Sequence, residues 1–156
     1  QQSAPAEVDK TTTDWRDNQA IKEIISKDPI IEKIIMTESS GKPNARNKGT
    51  GARGLMQIMR NTAELDTGYG VNYNLGYDEL DDPEKNVKYG AAYFKGLRKY
   101  FGNSDKDALI AYNWGPGNLR NFKKKGYWVD KSGKKQLKIP KETRDYVKKI
   151  LGINVA

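Results

Sequence analysis

The sequence predicts a mainly α fold, a compact bundle of six helical segments with one irregular region and room for a small β-hairpin element. Three observations carry this. Apolar residues recur at three- and four-residue spacing in short clusters. Start signals made of a capping Asp or Ser, twice followed by Pro, repeat along the chain. Gly-rich stretches separate the clusters. With 156 residues the chain can bury one core, and no apolar run approaches the roughly 18 residues of a membrane span.

Taken in order, residues 1–12 are polar and aperiodic and read as a flexible leader, leaving 13–156 as the folded domain. Thr13 or Asp14 caps a first helix with Ile21, Ile24 and Ile25 at helical spacing, ending near Lys27. Asp28 caps a second, with Pro29 at its first position, running to Ser39 or Ser40 before the stop at Gly41. Residues 41–53 form a loop, and 54–65 return to a short helical pattern. Residues 66–81 read as a long loop or a small hairpin. Asp82-Pro83 opens the longest helix, to about Phe101, with Val87, Ala91, Phe94 and Leu97 or Arg98 along one side. Ser104 caps the next, through Asn113, and Gly115-Pro116-Gly117 stops it. A last helix starts at Pro140 and carries Tyr146, Val147, Ile150 and Leu151.

Composition narrows the chemistry. With no Cys and no His, disulfides, thiolate zinc sites, Ser-His-Asp and Cys-His catalysis all drop out. Acid-base work at neutral pH falls to carboxylate, Lys or Tyr groups, and a Glu whose pKa is raised by burial is the common solution. The net charge of +8 is unevenly placed: residues 1–119 hold 16 Lys and Arg against 17 Asp and Glu, whereas residues 120–156 hold 12 against 3. Such a block suits an anionic partner, or serves as a solvated face.

Glu38 stands out within the second helix. It lies seven, four and three residues beyond Ile31, Ile34 and Ile35, so it projects from the apolar stripe. A carboxylate there is paired, with Arg53 or another cation, or reaches solvent, or has its pKa raised into the range of a proton donor. From Ser39 through Ala63 there is no Asp or Glu. The segment instead offers Asn44, Asn47 and Gln57, amides fitted to hydroxyl and acetamido groups. Glycosidases with two carboxylates need the second one opposite the acid, and substrate-assisted ones do not. Glu64, Asp66 and Asp78 remain distant candidates for that second role.

Glu38-Ser39, then Gly54-Leu55-Met56-Gln57-Ile58-Met59, then Asn86 after Asp82-Pro83, then Ala111-Tyr112-Asn113 with Gly115-Pro116-Gly117, resemble in order and spacing the soluble lytic transglycosylases of glycoside hydrolase family 23. Pro140 to Val147 is similar to that family's closing motif. The resemblance spans roughly residues 28–150. It implies a lysozyme-like fold and cleavage of the β-1,4 bond between N-acetylmuramic acid and N-acetylglucosamine in peptidoglycan. Glu38 would be the single acid/base, with the substrate's acetamido group assisting and a 1,6-anhydro end as product.

The same resemblance places Gln57, Met59, Tyr112, Asn113 and Glu142 along the substrate. Met59, like Met56, would otherwise be a core filler; Tyr112 would be a buried aromatic with one hydrogen bond; Glu142 would pair with Arg144 or a Lys. Asn47 stands where the family often has a Ser, in a loop one residue longer than usual. Trp114, Tyr127 and Trp128 stack on sugars or close the core. No metal or organic cofactor is implied, nor a nucleic-acid partner. Peptidoglycan strands are the expected partner, with anionic wall polymers meeting the Lys-rich 120–149 segment. The place of action would be the periplasm, the envelope or outside the cell, including a phage or secretion apparatus. A goose-type muramidase using water and an inactive wall-binding module are the alternatives.

Overall fold

The computed structural model describes residues 14–64 and 68–156. The leader, Thr13 as a cap and Asp66 as a distant acid lie outside these residues. Asp14 does not start a long helix. It accepts from the Arg16 N–H at 3.0 Å and opens a single 3-10 turn, Trp15–Asp17. Asn18 then accepts from the Ile21 N–H at 3.0 Å and caps α1 (Gln19–Lys27). Two capping residues in close succession divide what periodicity alone joins.

The second helix, α2 (Ile30–Ser39), buries Ile31, Ile34 and Ile35 as its spacing predicts. Asp28 is not its cap; Pro29 takes that position without a side-chain bond. Both Asp28 carboxylate oxygens are instead held at 3.0 Å by the Arg98 guanidinium, a fork-to-fork pair that ties the α1–α2 joint to the longest helix. At the other end Ser40, not Gly41, takes the left-handed cap at φ 55°, and Gly41 follows at φ 75° against the Trp15 ring. The Trp15 indole N–H donates to the Gly41 carbonyl at 2.7 Å, which fixes the turn just after Glu38.

Helical structure in 54–65 is confined to α3 (Arg60–Glu64). Residues 53–58 close a tight turn, in which Arg53 and Ile58 exchange both backbone hydrogen bonds at 3.0 Å. Gly54 sits in it at φ 78°, where a Cβ would clash with the Asn86 amide and the Leu80 carbonyl. Residues 68–76 form no hairpin and lead into a 3-10 turn, Tyr77–Asp81. They lie against α4 (Pro83–Tyr100), whose Gly96 leaves space for the Tyr69 carbonyl. Asp82 caps α4 through the Lys85 N–H at 3.0 Å, with Pro83 first in the helix as expected.

Ser104 caps α5 (Asp105–Trp114). Gly115 stops it at φ 100°, but Pro116 then begins α6 (Pro116–Lys125), a helix the Gly-Pro-Gly triplet conceals. The triplet is both stop and start, because Pro needs no N–H partner at a helix's first position. The hairpin lies further on: β1 (Trp128–Val129) pairs antiparallel with β2 (Lys135–Gln136), Trp128 opposite Gln136. The last helix is α7 (Lys141–Leu151). The architecture is mainly α, seven helices and one small sheet among the described residues. Helix α5 packs against α4, α6 and α7, and α7 also packs on α2, so the ends of α2 and α5 meet the start of α7.

Candidate active site

Glu38 occupies the last turn of α2 and is half-buried. No cation lies within ion-pair distance of it among the described residues. Arg53, a candidate partner from the sequence, is committed elsewhere. It pairs with Asp78 at 3.1 Å, donates to the Tyr77 carbonyl at 3.2 Å and stacks over the Tyr77 ring at 3.9 Å. Left without a counter-charge, the Glu38 carboxyl is pushed up from its ordinary 4.5 to about 7, first by burial and second by the negative charge of Glu142. A group with that pKa holds its proton for much of the time at neutral pH and releases it at little cost, which is what a general acid that later acts as base requires.

Glu142 comes from the first turn of α7 and is exposed. It pairs with no cation among the described residues, and the Arg144 Nε–H goes to the Ile139 carbonyl at 3.1 Å. The carboxylate missing near Glu38 in sequence is therefore supplied in space, about a hundred residues away. The other distant acids play no such part: Asp78 is paired with Arg53, and Glu64 with Arg60 at 3.5 Å.

Two tyrosines complete the surroundings. Tyr112, near the end of α5, donates its hydroxyl to the Met56 carbonyl at 2.6 Å, and burial followed by the Glu38 charge holds its pKa well above 10.0. Tyr146 stands one turn after Glu142 on α7, its pKa raised by burial and then by Glu38. Its hydroxyl is buried and has no hydrogen-bond partner among the described residues. Helical spacing marked Tyr146 only as core; the four-residue interval from Glu142 was the signal that both face one side.

The remaining candidates are placed less directly. Gln57 adopts φ 51° and gives its amide N–H groups to the carbonyls of Ala45 at 3.1 Å and Gly54 at 2.9 Å, leaving its oxygen to accept. Asn47 accepts from the N–H groups of Gly49 at 2.9 Å and Thr50 at 3.0 Å, so its carbonyl shapes its own loop. Met56 is fully buried, whereas Met59 is 40% exposed and so is no core filler. Asn113 is half-buried beside Tyr112 in sequence. Trp114 packs edge-on against Phe122 and Trp128, and the Trp128 N–H bonds the Lys138 carbonyl at 2.7 Å, so this cluster closes the hairpin onto α5 and α6. Asn86, wholly buried, accepts from the Met56 N–H at 2.8 Å and donates to the carbonyls of Arg53 at 3.0 Å and Leu80 at 2.9 Å, clamping the turn that carries Gln57. Among the described residues no cluster of three or more carboxylates could hold a metal ion.

Fold and site together define a lysozyme-like α domain built around one unpaired carboxyl of raised pKa. The chain belongs to the transglycosylase SLT domain family, which it matches over residues 17–135. It is 34% identical over 126 residues to a soluble lytic murein transglycosylase of Salmonella typhimurium, covering 76% of this chain and 18% of that protein. It is 32% identical over 124 residues to the peptidoglycan transglycosylase gp16 of Escherichia phage T7, covering 80% of this chain and 9% of that one. The 70-kDa soluble lytic transglycosylase of Escherichia coli has the same fold, with TM-score 0.66 and 29% identity over 86% of this chain and 23% of its own. The chain thus spans less than a quarter of each of these proteins.

Proposed function

We propose that this domain cleaves the MurNAc-β-1,4-GlcNAc bond of peptidoglycan as a lytic transglycosylase, with Glu38 as its single acid/base. The observation that carries this is the Glu38 carboxyl, in no ion pair among the described residues and pushed up to about 7 by burial and the Glu142 charge. In the neutral form it donates its proton to the glycosidic oxygen as the C1–O bond breaks. The substrate's own acetamido oxygen meets the positive charge at C1 from the opposite face. Glu38, now ionised, takes the proton from the muramoyl C6 hydroxyl as O6 bonds to C1, which closes the 1,6-anhydro ring and returns the acid to its starting state. No water is consumed. Glu142 keeps the Glu38 proton bound until the leaving oxygen takes it, and the Tyr146 hydroxyl is a donor ready for the carboxylate that results. Gln57 Oε1, the Asn47 amide N–H groups, Met59, Asn113 and Tyr112 serve the sugars along the same strand.

Glu142 also favours a second reading, hydrolysis in which a carboxylate pair activates water. Mass spectrometry of digested muropeptides separates the two. Anhydro ends, one water lighter, support the transglycosylase, and reducing muramic acid as the main product overturns it. An inactive wall-binding module is overturned by either product. The murein and peptidoglycan named for the relatives support work at the bacterial envelope, and no described helix is long and apolar enough to cross a membrane. The Lys-rich 120–149 segment holds the domain to anionic wall polymer.

A further inference from the structure

Helix α7 has two chemically different sides. Glu142 and Tyr146 face Glu38. Lys141, Arg144 and Lys148, spaced three and four residues apart, lie on the other side of the helix and line two adjoining grooves. The first, of about 560 Å³, runs between this side and the hairpin; the second, of about 450 Å³, continues toward Asn154 and Val155. Lys138 and Arg144 border both, so the two form one track.

We propose that this track docks a phosphodiester-linked anionic polymer of the cell wall, separately from the glycan held at Glu38. The inference rests on the wall-directed reading above and gives its basic segment a site and a partner chemistry. Five cations line the grooves, Lys135, Lys138, Lys141, Arg144 and Lys148, against two carboxylate side chains. One carboxylate is ion-paired, and the other keeps its charge but is bound within its own turn. Asp130 accepts from the Ser132 hydroxyl at 2.6 Å, the Gln136 amide at 2.8 Å and the Lys134 N–H at 3.0 Å inside its own turn. Asp145 pairs with Lys141 at 2.7 Å. Lys135, Lys138, Arg144 and Lys148 are in no ion pair among the described residues, and outnumber the one unpaired carboxylate, Asp130.

Arg144 is the built element among them. It is half-buried, its Nε–H is fixed on the Ile139 carbonyl at 3.1 Å, and it lines both grooves in no ion pair among the described residues. A guanidinium fork matches two oxygens of a phosphate. The lysines, on flexible stems, act as point charges along its flanks. From Lys141 to Lys148 the helix rises about 10 Å. A track of that length, with a single charge at intervals, fits a chain of repeating monoanions better than one compact ligand. The opposite wall of the groove, with Trp128 and the 78%-exposed Leu137, offers apolar surface to the polymer's sugar or polyol units.

The test is pelleting of the whole chain with walls that carry a phosphodiester-linked polymer and with the same walls stripped of it by hydrofluoric acid. Both are done in a Glu38→Gln background so that no wall is cut. Binding to the polymer-bearing walls should be at least about tenfold tighter. Displacing counterions with four cations, it should weaken by about 50-fold from about 50 to about 200 mM salt. The exposed triple variant K135Q/K138Q/K148Q should keep only about a threefold salt effect and bind both walls alike. With Glu38 intact, the same triple variant should cut soluble, polymer-free glycan strands at the wild-type rate. Equal binding of the parent to both walls, tighter binding to stripped walls whose charge is peptide carboxylate, or an unchanged salt effect in the triple variant each overturns the proposal. Glycan cutting is read separately, so a failure of the lytic reading shows as loss of product with the docking result intact.

Discussion

Replacing Glu38 by Gln removes the carboxyl that the fold holds near pH 7 and keeps its size. In the unfolded chain Glu38 titrates near 4.5, and in the folded chain near 7. The folded state therefore binds this proton more tightly, and its stability falls as pH rises from about 4.5 to about 7, where the penalty is complete. The interval between 4.5 and about 7 is worth about 3 kcal/mol, taking about 1.4 kcal/mol for each tenfold step in proton affinity. Wild type carries this cost above pH 7 and not below 4.5; Gln carries it at neither. Urea unfolding of both proteins at about pH 4 and about pH 8 should show Glu38→Gln gaining about 3 kcal/mol over wild type between the two conditions. Lysis of purified wall by the same variant should fall about 10²- to 10³-fold, the usual cost of a positioned acid/base. Parallel stability curves, differing by a constant at every pH, would mean that burial does not hold the Glu38 proton, and the assigned chemistry would fail with it.

Glu142→Gln removes the second cause of the raised Glu38 pKa, so the alkaline limb of the activity profile should move to lower pH; a limb that stays in place in a turbidity assay refutes the coupling. Asn86→Ala takes their side-chain partner from the buried Met56 N–H and Leu80 carbonyl, while the Arg53 carbonyl keeps its bond from the Ile58 N–H, and should cost about 2 kcal/mol or more by urea unfolding, with a loss under about 1 kcal/mol counting against the clamp. Tyr146→Phe deletes a buried hydroxyl with no partner among the described residues, so stability should hold or rise by about 1 kcal/mol while wall turnover drops about tenfold. Unchanged turnover would assign Tyr146 to packing alone.

The outline of the helices was readable in the sequence because caps, Pro at first positions and apolar spacing are local. Asp82-Pro83 and Ser104 start helices where they are expected, and Ile31, Ile34 and Ile35 are buried as their spacing requires. Local signals misled where a distant residue claimed the group. Asp28 looks like a cap until Arg98, seventy residues on, takes its carboxylate. The stretch 54–58 looks helical until Asn86 and the Arg53–Ile58 exchange fold it into a turn.

The same division holds for the site. That Glu38 leaves an apolar stripe near the end of a helix follows from its position in the chain. Whether it was paired, solvated or raised in pKa did not, because that depends on Arg53 being drawn away to Asp78 and Tyr77 and on α7 bringing Glu142 beside it. A periodic pattern records which residues share a face of one element. The charge state of a buried carboxyl is set by whatever the other elements place within a few ångströms, and only the packing of α2, α5 and α7 decides that.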